Sequence, residues 1–255
     1  MYANIFSCKK KTAIVTGGCG LIGREIVKGL SQHGAKVYIA DQDETAAQSL
    51  INENIKYLNL DITSEISVQE NLCQVVKDNG KIDILVNCAY PRSADWGAKF
   101  ADVKFESWKL NVDHHLGGYF LICREAAMIM KEHGGGSIIN LASIYGIVAP
   151  DFSVYEGTEM TMPVAYASIK AGIIALTKYI ATYFGHDNVR ANIISPGGIY
   201  DKQAPSFVDR YSGKTPLGRM GKAGEIVGAV IYLASDASSF VTGHNLVIDG
   251  GWTSW

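Results

Sequence analysis

No excess charge of either sign marks this 255-residue sequence: 23 basic side chains stand against 25 acidic ones, a formal net charge of -2. Nothing electrostatic therefore points to nucleic acid or an anionic membrane as a partner. Nor does any stretch approach the roughly 18 consecutive apolar residues of a membrane-spanning helix. The basic cluster Lys9, Lys10 and Lys11 precedes an apolar run, Thr12 to Val15, too short for a signal peptide, so a cytoplasmic location is expected. Five cysteines, Cys8, Cys19, Cys73, Cys88 and Cys123, form no CxxC pair and have no histidine at metal-ligand spacing. That pattern argues against a bound metal and against a disulfide framework. There is no internal repeat, no low-complexity tract and no Pro/Gly/Ser linker, so residues 1–255 are expected to form one domain.

What is present is a rhythm. Runs rich in Val and Ile at Ala13–Thr16, Lys36–Ala40, Tyr57–Leu60, Ile84–Asn87, Ser137–Leu141, Arg190–Ser195 and Leu246–Ile248 alternate with stretches of helical period, such as Ile22, Ile26, Val27 and Leu30. Near-continuous apolar strands separated by helices specify a parallel sheet covered on both faces, because each crossover must pass over the sheet. The expected fold is α/β: a doubly wound parallel sheet of Rossmann type in three α/β/α layers. Two stretches break the rhythm, 147–163 and 200–216, and read as substrate loops. The second, with Pro205, Gly213 and Pro216, is expected to order on binding ligand.

Directly after the first strand stands Thr16-Gly17-Gly18-Cys19-Gly20-Leu21-Ile22-Gly23, and a helix follows. Such a turn lets backbone N–H groups and the positive end of a helix meet a pyrophosphate. Asp41 closes the second strand, where a carboxylate can accept the ribose hydroxyls of NAD and repel the extra phosphate of NADP. NAD is thus expected over NADP, although a solvated turn would also explain Asp41.

Tyr166 and Lys170 form a YxxxK pair at the start of a long helical run. Residues four apart share a helix face. A phenol with a pKa of about 10 becomes a useful base only when a nearby cation favours its ionised form. With Leu60-Asp61-Ile62, Asn87-Cys88-Ala89, Asn111, the Gly136–Asn140 run leading to Ser143, Pro196-Gly197-Gly198, Thr242-Gly243 and Asp249-Gly250-Gly251, the sequence resembles the short single-domain members of the short-chain dehydrogenase/reductase family over Lys10 to Trp252. The resemblance implies an enzyme that moves a hydride between a nicotinamide and an alcohol or ketone. Asn111, Ser143, Tyr166 and Lys170 would be its catalytic residues. Gly17, Gly20, Leu21, Ile22, Gly23, Asp41, Asp61, Ile62, Asn87, Ala89, Pro196, Gly197 and Ile199 would hold the cofactor together with Tyr166 and Lys170. It also implies a homotetramer or homodimer.

Several features depart from the family's short type. The glycine turn reads TGxxGxxG, as in its larger sugar-nucleotide members, Tyr90 replaces a glycine after Ala89, and Asp201 replaces a threonine. Ser143 lies 23 positions before Tyr166, so Ser153, 13 before it, rivals Ser143 by spacing alone. On the substrate side stand Tyr90, Arg92, His115, Asp151, Tyr155, Glu156, Tyr200, Lys202 and Arg210, a polar set suited to a small-molecule substrate such as a sugar or sugar phosphate. The insert between Ser143 and Tyr166, Ala149-Pro150-Asp151-Phe152 to Glu156-Gly157-Thr158, and the glycine turn also resemble dehydrogenases encoded with bacterial flagellin-modification sugars, which implies work on a nonulosonic acid such as legionaminic acid. Two alternatives stay open: an epimerase or dehydratase that retains its NAD, and a nucleotide-sensing regulatory protein.

Overall fold

The computed structural model describes residues 4–255. Seven strands, β1 (Thr12–Thr16), β2 (Lys36–Asp41), β3 (Ile55–Asn59), β4 (Ile84–Asn87), β5 (Gly136–Leu141), β6 (Val189–Pro196) and β7 (Asn245–Ile248), form one parallel sheet in the order β3-β2-β1-β4-β5-β6-β7. The helices are α1 (Gly23–Gln32), the single turn α2 (Glu44–Ala47), α3 (Glu65–Asn79), α4 (Phe105–Asn111), α5 (Gly118–Glu132), α6 (Val164–Tyr183), α7 (Pro205–Lys214) and α8 (Val227–Ala234). A turn of π-helix, Val112–Gly117, joins α4 to α5.

Strand alternation sorts the core into two layers. Ile14, Leu85, Ile138 and Ile193 face α3, α5 and α6, packing with Val68, Leu72, Ile122, Ile169 and Ile173. Their neighbours Ala13, Val15, Ile84, Val86, Ile139 and Ile194 face α1 and α8, packing with Ile26, Leu30, Val230 and Ile231. Each fully buried aliphatic side chain contributes about 1.5–3 kcal/mol, so covering both faces is what makes the sheet stable. By length and composition Val164–Tyr183 could also cross a membrane. Its Ile169, Ile173 and Ile180 lie instead against the sheet, while Tyr179 and Tyr183 stack on its outer face.

Four buried polar residues run through the middle of the sheet. Thr16 Oγ1 donates to Asn87 Oδ1 at 3.1 Å, Asn87 Nδ2 to Asn140 Oδ1 at 2.8 Å, and Asn140 Nδ2 to Thr177 Oγ1 at 2.8 Å. Thr177 closes the chain on the Ile173 carbonyl at 2.6 Å. β1, β4, β5 and α6 are thereby joined at one level.

Two elements differ from the sequence reading. β3 begins at Ile55, before the apolar run, because an edge strand tolerates the outward-facing Lys56. The stretch 200–216 contains α7 in place of a loop awaiting ligand: Pro205 stands at the first helical position, where its missing N–H costs nothing, and Phe207 and Tyr211 are buried one turn apart.

Candidate active site

β1 and β4 lie side by side although β2 and β3 come between them in sequence, so the crossovers on either side run in opposite directions and leave a crevice at the strands' carboxyl ends. A cleft of about 1130 Å³ opens there, slightly more than the ~300–1,000 Å³ usual for one ligand. The glycine turn forms one wall. Gly17 has φ +62°, and a Cβ there would stand 2.7 Å from Ala89 Cα; a Cβ on Gly23 would run into the Gly17 carbonyl oxygen. Glycine lets this turn approach the β4 end while α1 begins immediately beneath it, a cradle suited to a pyrophosphate.

Gly17, Gly20, Leu21, Ile22, Gly23, Asp41, Asp61, Ile62, Ala89, Pro196, Gly197 and Ile199 all line this cleft, as do Ser143, Tyr166 and Lys170. The Asp41 carboxylate accepts from the Cys19 N–H at 2.9 Å and from the Asp43 N–H at 3.2 Å, which fixes it at the mouth of the glycine turn. Asp61 Oδ1 accepts from the Thr63 N–H and hydroxyl, both at 2.8 Å. Asn87 differs from expectation. It is fully enclosed beneath the cleft, and its amide belongs to the buried polar chain described above. The Ile199 carbonyl is taken by Gln203 Nε2 at 2.9 Å.

α6 presents Tyr166 and Lys170 on one face, and the 3₁₀ turn after β5 brings up Ser143. Lys170 Nζ donates to the Leu141 carbonyl at 2.8 Å and lies 5.6 Å from the centre of the Tyr166 ring. Burial drives the ammonium's pKa down to about 7, with Cys88 acting weakly against it. Burial also raises the Tyr166 phenol, and the Ser143 hydroxyl beside it works in the other direction. Tyr166 sits in the first turn of α6, where the helix dipole favours a phenolate. Ser153 lies in the insert and donates to Asp151 at 2.7 Å, so Ser143 is the serine beside Tyr166.

Asn111 does not line the cleft. Standing at the end of α4, it accepts from the Ser93 N–H at 2.9 Å and donates to Ser93 Oγ and to the Ser107 carbonyl, both at 2.8 Å. Three good bonds within its own helix and the loop after β4 leave the amide committed to holding that loop. Beside Lys170 the structure places Tyr119, which the sequence does not single out, and His115, which the sequence reading put on the substrate side.

The substrate end is less charged than the sequence suggested. Tyr90, Arg92 and Tyr155 line the cleft, Arg92 lying over the Tyr90 ring at 5.4 Å. Asp151 instead pairs with Lys214, and Arg210 donates to the Glu156 carbonyl, so these charges strap the insert to α7. Tyr145, Met162, Phe207, Tyr211 and Met220 complete the lining. The Tyr211 oxygen accepts from the Gly198 N–H, and its ring stacks on Trp252 at 4.2 Å. Burial drives the Cys19 and Cys88 thiols up to about 12, so neither is a nucleophile at neutral pH. No cluster able to hold a metal ion occurs among the described residues.

The family model described as enoyl-(acyl carrier protein) reductase matches residues 20–253. The chain is 36% identical over 252 residues to post-translational flagellin modification protein A of Campylobacter coli, covering 96% of this chain and 98% of the relative. It is 37% identical to a short-chain dehydrogenase of Leptospira borgpetersenii solved with bound NAD⁺, covering 96% and 93% of the two chains at a TM-score of 0.88. A gluconate 5-dehydrogenase of Burkholderia cenocepacia, solved with NADP and tartrate, is 28% identical at the same TM-score, covering 99% and 98%.

Proposed function

The chain belongs to the short-chain dehydrogenase/reductase family and is an NAD(P)-dependent oxidoreductase; from that premise we propose that it uses NAD to interconvert an alcohol and a ketone on a sugar-like substrate, with Tyr166 as general acid/base. The observation that carries this reading is Ser143, Tyr166 and Lys170 meeting on the wall of a cleft whose other end is the glycine turn and Asp41. When bound, the nicotinamide supplies hydride transfer. In the oxidising direction Tyr166, as phenolate, takes the hydroxyl proton, while Ser143 holds the substrate oxygen by a hydrogen bond. In the reducing direction the phenol returns that proton to the ketone oxygen. Lys170, as ammonium, lowers the phenol's pKa and donates to the nicotinamide ribose. Asp41 accepts from the adenosine ribose hydroxyls, and its charge opposes a phosphate at that position, which supports NAD over NADP.

The substrate end supports a polyhydroxylated molecule carrying an anionic group, a sugar phosphate or sugar acid. The Tyr145, Tyr155 and Tyr211 rings suit the C–H faces of a sugar, and Arg92 at the mouth suits the anion. The relative that modifies flagellin supports a sugar destined for flagellin. Packing between copies through α6 and the α4–α5 segment would cover the exposed Tyr179, Tyr183, Leu110 and Phe120 in a homodimer or homotetramer.

The test is to titrate the protein with NADH and NADPH by fluorescence, then screen polyols, sugar acids and sugar phosphates for net NADH formation. NADH is expected to bind more tightly, with Asp41→Ala narrowing the gap. Tyr166→Phe is expected to lose at least ~100-fold in turnover, the scale of general acid/base catalysis, while still binding NADH. Tighter NADPH binding would overturn the cofactor assignment. Binding without net turnover would favour an epimerase that retains its cofactor.

A further inference from the structure

The sequence has six arginines. Five of them donate to an acceptor within the chain: Arg24 to the Cys19 carbonyl, Arg124 to Glu65, Arg190 to the Leu233 carbonyl, Arg210 to the Glu156 carbonyl and Arg219 to Glu225. Arg92 is the exception. Among the described residues its guanidinium has neither an ion pair nor a hydrogen bond, although Asp41, Asp43, Asp61 and Asp201 border the same cleft. A guanidinium presents its N–H donors in one fixed plane, a fork that matches a carboxylate or a phosphate two oxygens at a time.

An arginine left to water samples many rotamers, but two features hold this one. Its guanidinium carbon stands over the Tyr90 ring, 5.4 Å from the centre. That ring is itself wedged among Trp96 at 5.5 Å, His115 at 5.2 Å and Tyr166 at 5.8 Å between centroids, all near edge-on. A cation within about 6 Å of an aromatic face is attracted to it, so the ring sets where the fork lies and leaves its N–H edges free for a ligand. The backbone on either side is also fixed. Pro91 restricts the chain before Arg92, and after it the Ser93 N–H donates to Asn111 Oδ1 at 2.9 Å while the Ser93 hydroxyl lies 3.1 Å from that of Ser107. Ordering a long side chain opposes binding, and here the fold has done much of that ordering beforehand. Burial first and Tyr166 second keep the Tyr90 phenol protonated, so the platform itself puts no negative charge against an anion.

We propose that Arg92 is the anion subsite of this active site, taking the phosphate or carboxylate group of the substrate in a two-point contact, and that Tyr90 is the specificity-determining residue that aims it. The inference deepens the substrate reading given above and rests on it. Only the Tyr90 ring stands between the guanidinium and Tyr166, so one small molecule can present its anion to the first and its reacting carbon to the second. Tyr90, which stands where the family's short type has a glycine, thereby turns this wall of the cleft from a bare backbone into a seat for a cation.

The test uses the NAD-loaded protein, whose glycine turn is already occupied, and titrates it with inorganic phosphate and separately with acetate, following the Arg92 Nε–H and the Ser93 backbone N–H by NMR. Both resonances are expected to move and saturate, and the ion that binds more tightly tells a phosphate monoester from a carboxylate. Arg92→Met is expected to weaken that ion about ten-fold at Ser93, the scale of a lost charge-assisted hydrogen bond, with the NADH dissociation constant unchanged. Tyr90→Phe keeps the aromatic platform and should bind the ion as the wild type does, whereas Tyr90→Leu should lose about three-fold, the scale of an exposed cation–π contact. With any anionic substrate found by screening, Arg92→Met should raise KM far more than it lowers kcat, because the contact is made in the ground state and the transition state alike. No movement at Arg92 with either ion overturns the proposal. So does an Arg92→Met variant that loses NADH in place of the ion, which gives the guanidinium to the cofactor, and wild-type ion binding by Tyr90→Leu overturns the role of Tyr90. A protein that does not bind NADH fails the underlying reading, whereas NADH binding and Tyr166-dependent turnover of an uncharged polyol, with no ion at Arg92, overturn this inference alone.

Discussion

At Lys170, burial and function pull in opposite directions. The proposed role needs an ammonium, yet burial brings its pKa to about 7, while the unfolded chain keeps that proton to about pH 10.4. Between those values the unfolded state binds more protons, so for this group stability rises with pH. The buried Cys88 and Cys123 thiols, raised to about 12 by burial, have the opposite effect once pH passes their ordinary value near 8.5. The Tm of the cofactor-free protein is therefore expected to increase from about pH 7 to 8.5, and calorimetry should show the increase absent in Lys170→Met. That Tyr166, Lys170 and Ser143 meet on one cleft wall was legible because each belongs to a spacing that local structure preserves: four residues along one helix, or the end of an apolar strand. The surroundings of Asn111 were not, because its amide turns to the loop after β4 and a π-turn follows it. Nothing in a sequence announces one extra residue in a helical turn.

The insert and α7 behave as one element. Asp151 and Lys214 form an ion pair, and hydrogen bonds from Lys214 first and Ser153 second hold the Asp151 carboxyl down at about 2. A depressed carboxyl pKa gives stability that is present above the unfolded value near 3.9 and lost as pH falls toward about 2, so the strap is intact throughout the neutral range. Both partners are partly exposed, and a surface pair of this kind is worth only about 0.2–1 kcal/mol. Lys214→Met is accordingly expected to leave Tm almost unchanged. Because Tyr155 lies on the strapped segment and in the cleft wall, the same variant should raise KM for the substrate several-fold while the NADH dissociation constant stays put. Separate titrations of the two ligands distinguish these outcomes. The existence of the insert was plain from composition. That α7 is a helix was hidden by Pro205, Gly213 and Pro216, which read as turn formers until one sees that the first stands at a helix start and the last beyond its end.

For the molecule as a whole, the doubly wound parallel sheet followed from alternating apolar runs, since parallel strands with helical crossovers have few ways to wind. The polar chain Thr16, Asn87, Asn140 and Thr177 did not. Read singly, each looks like a strand or helix residue of middling polarity, and only the register of three strands brings them to one level. Asn87→Ala would strip partners from Thr16 and Asn140 at once. The cost of orphaning buried groups predicts a loss of about 2 kcal/mol, or a fall in Tm of roughly 4–8 °C in a chain of this size. The same chain bears on descent. A lineage that replaces one member with an apolar residue inherits an unpaired group in the next, so tolerated changes must arrive in pairs. Among relatives of this protein, positions 87 and 140 are expected to be either amides together or apolar together, and a catalogue of natural sequences can show whether the two have been inherited as a unit.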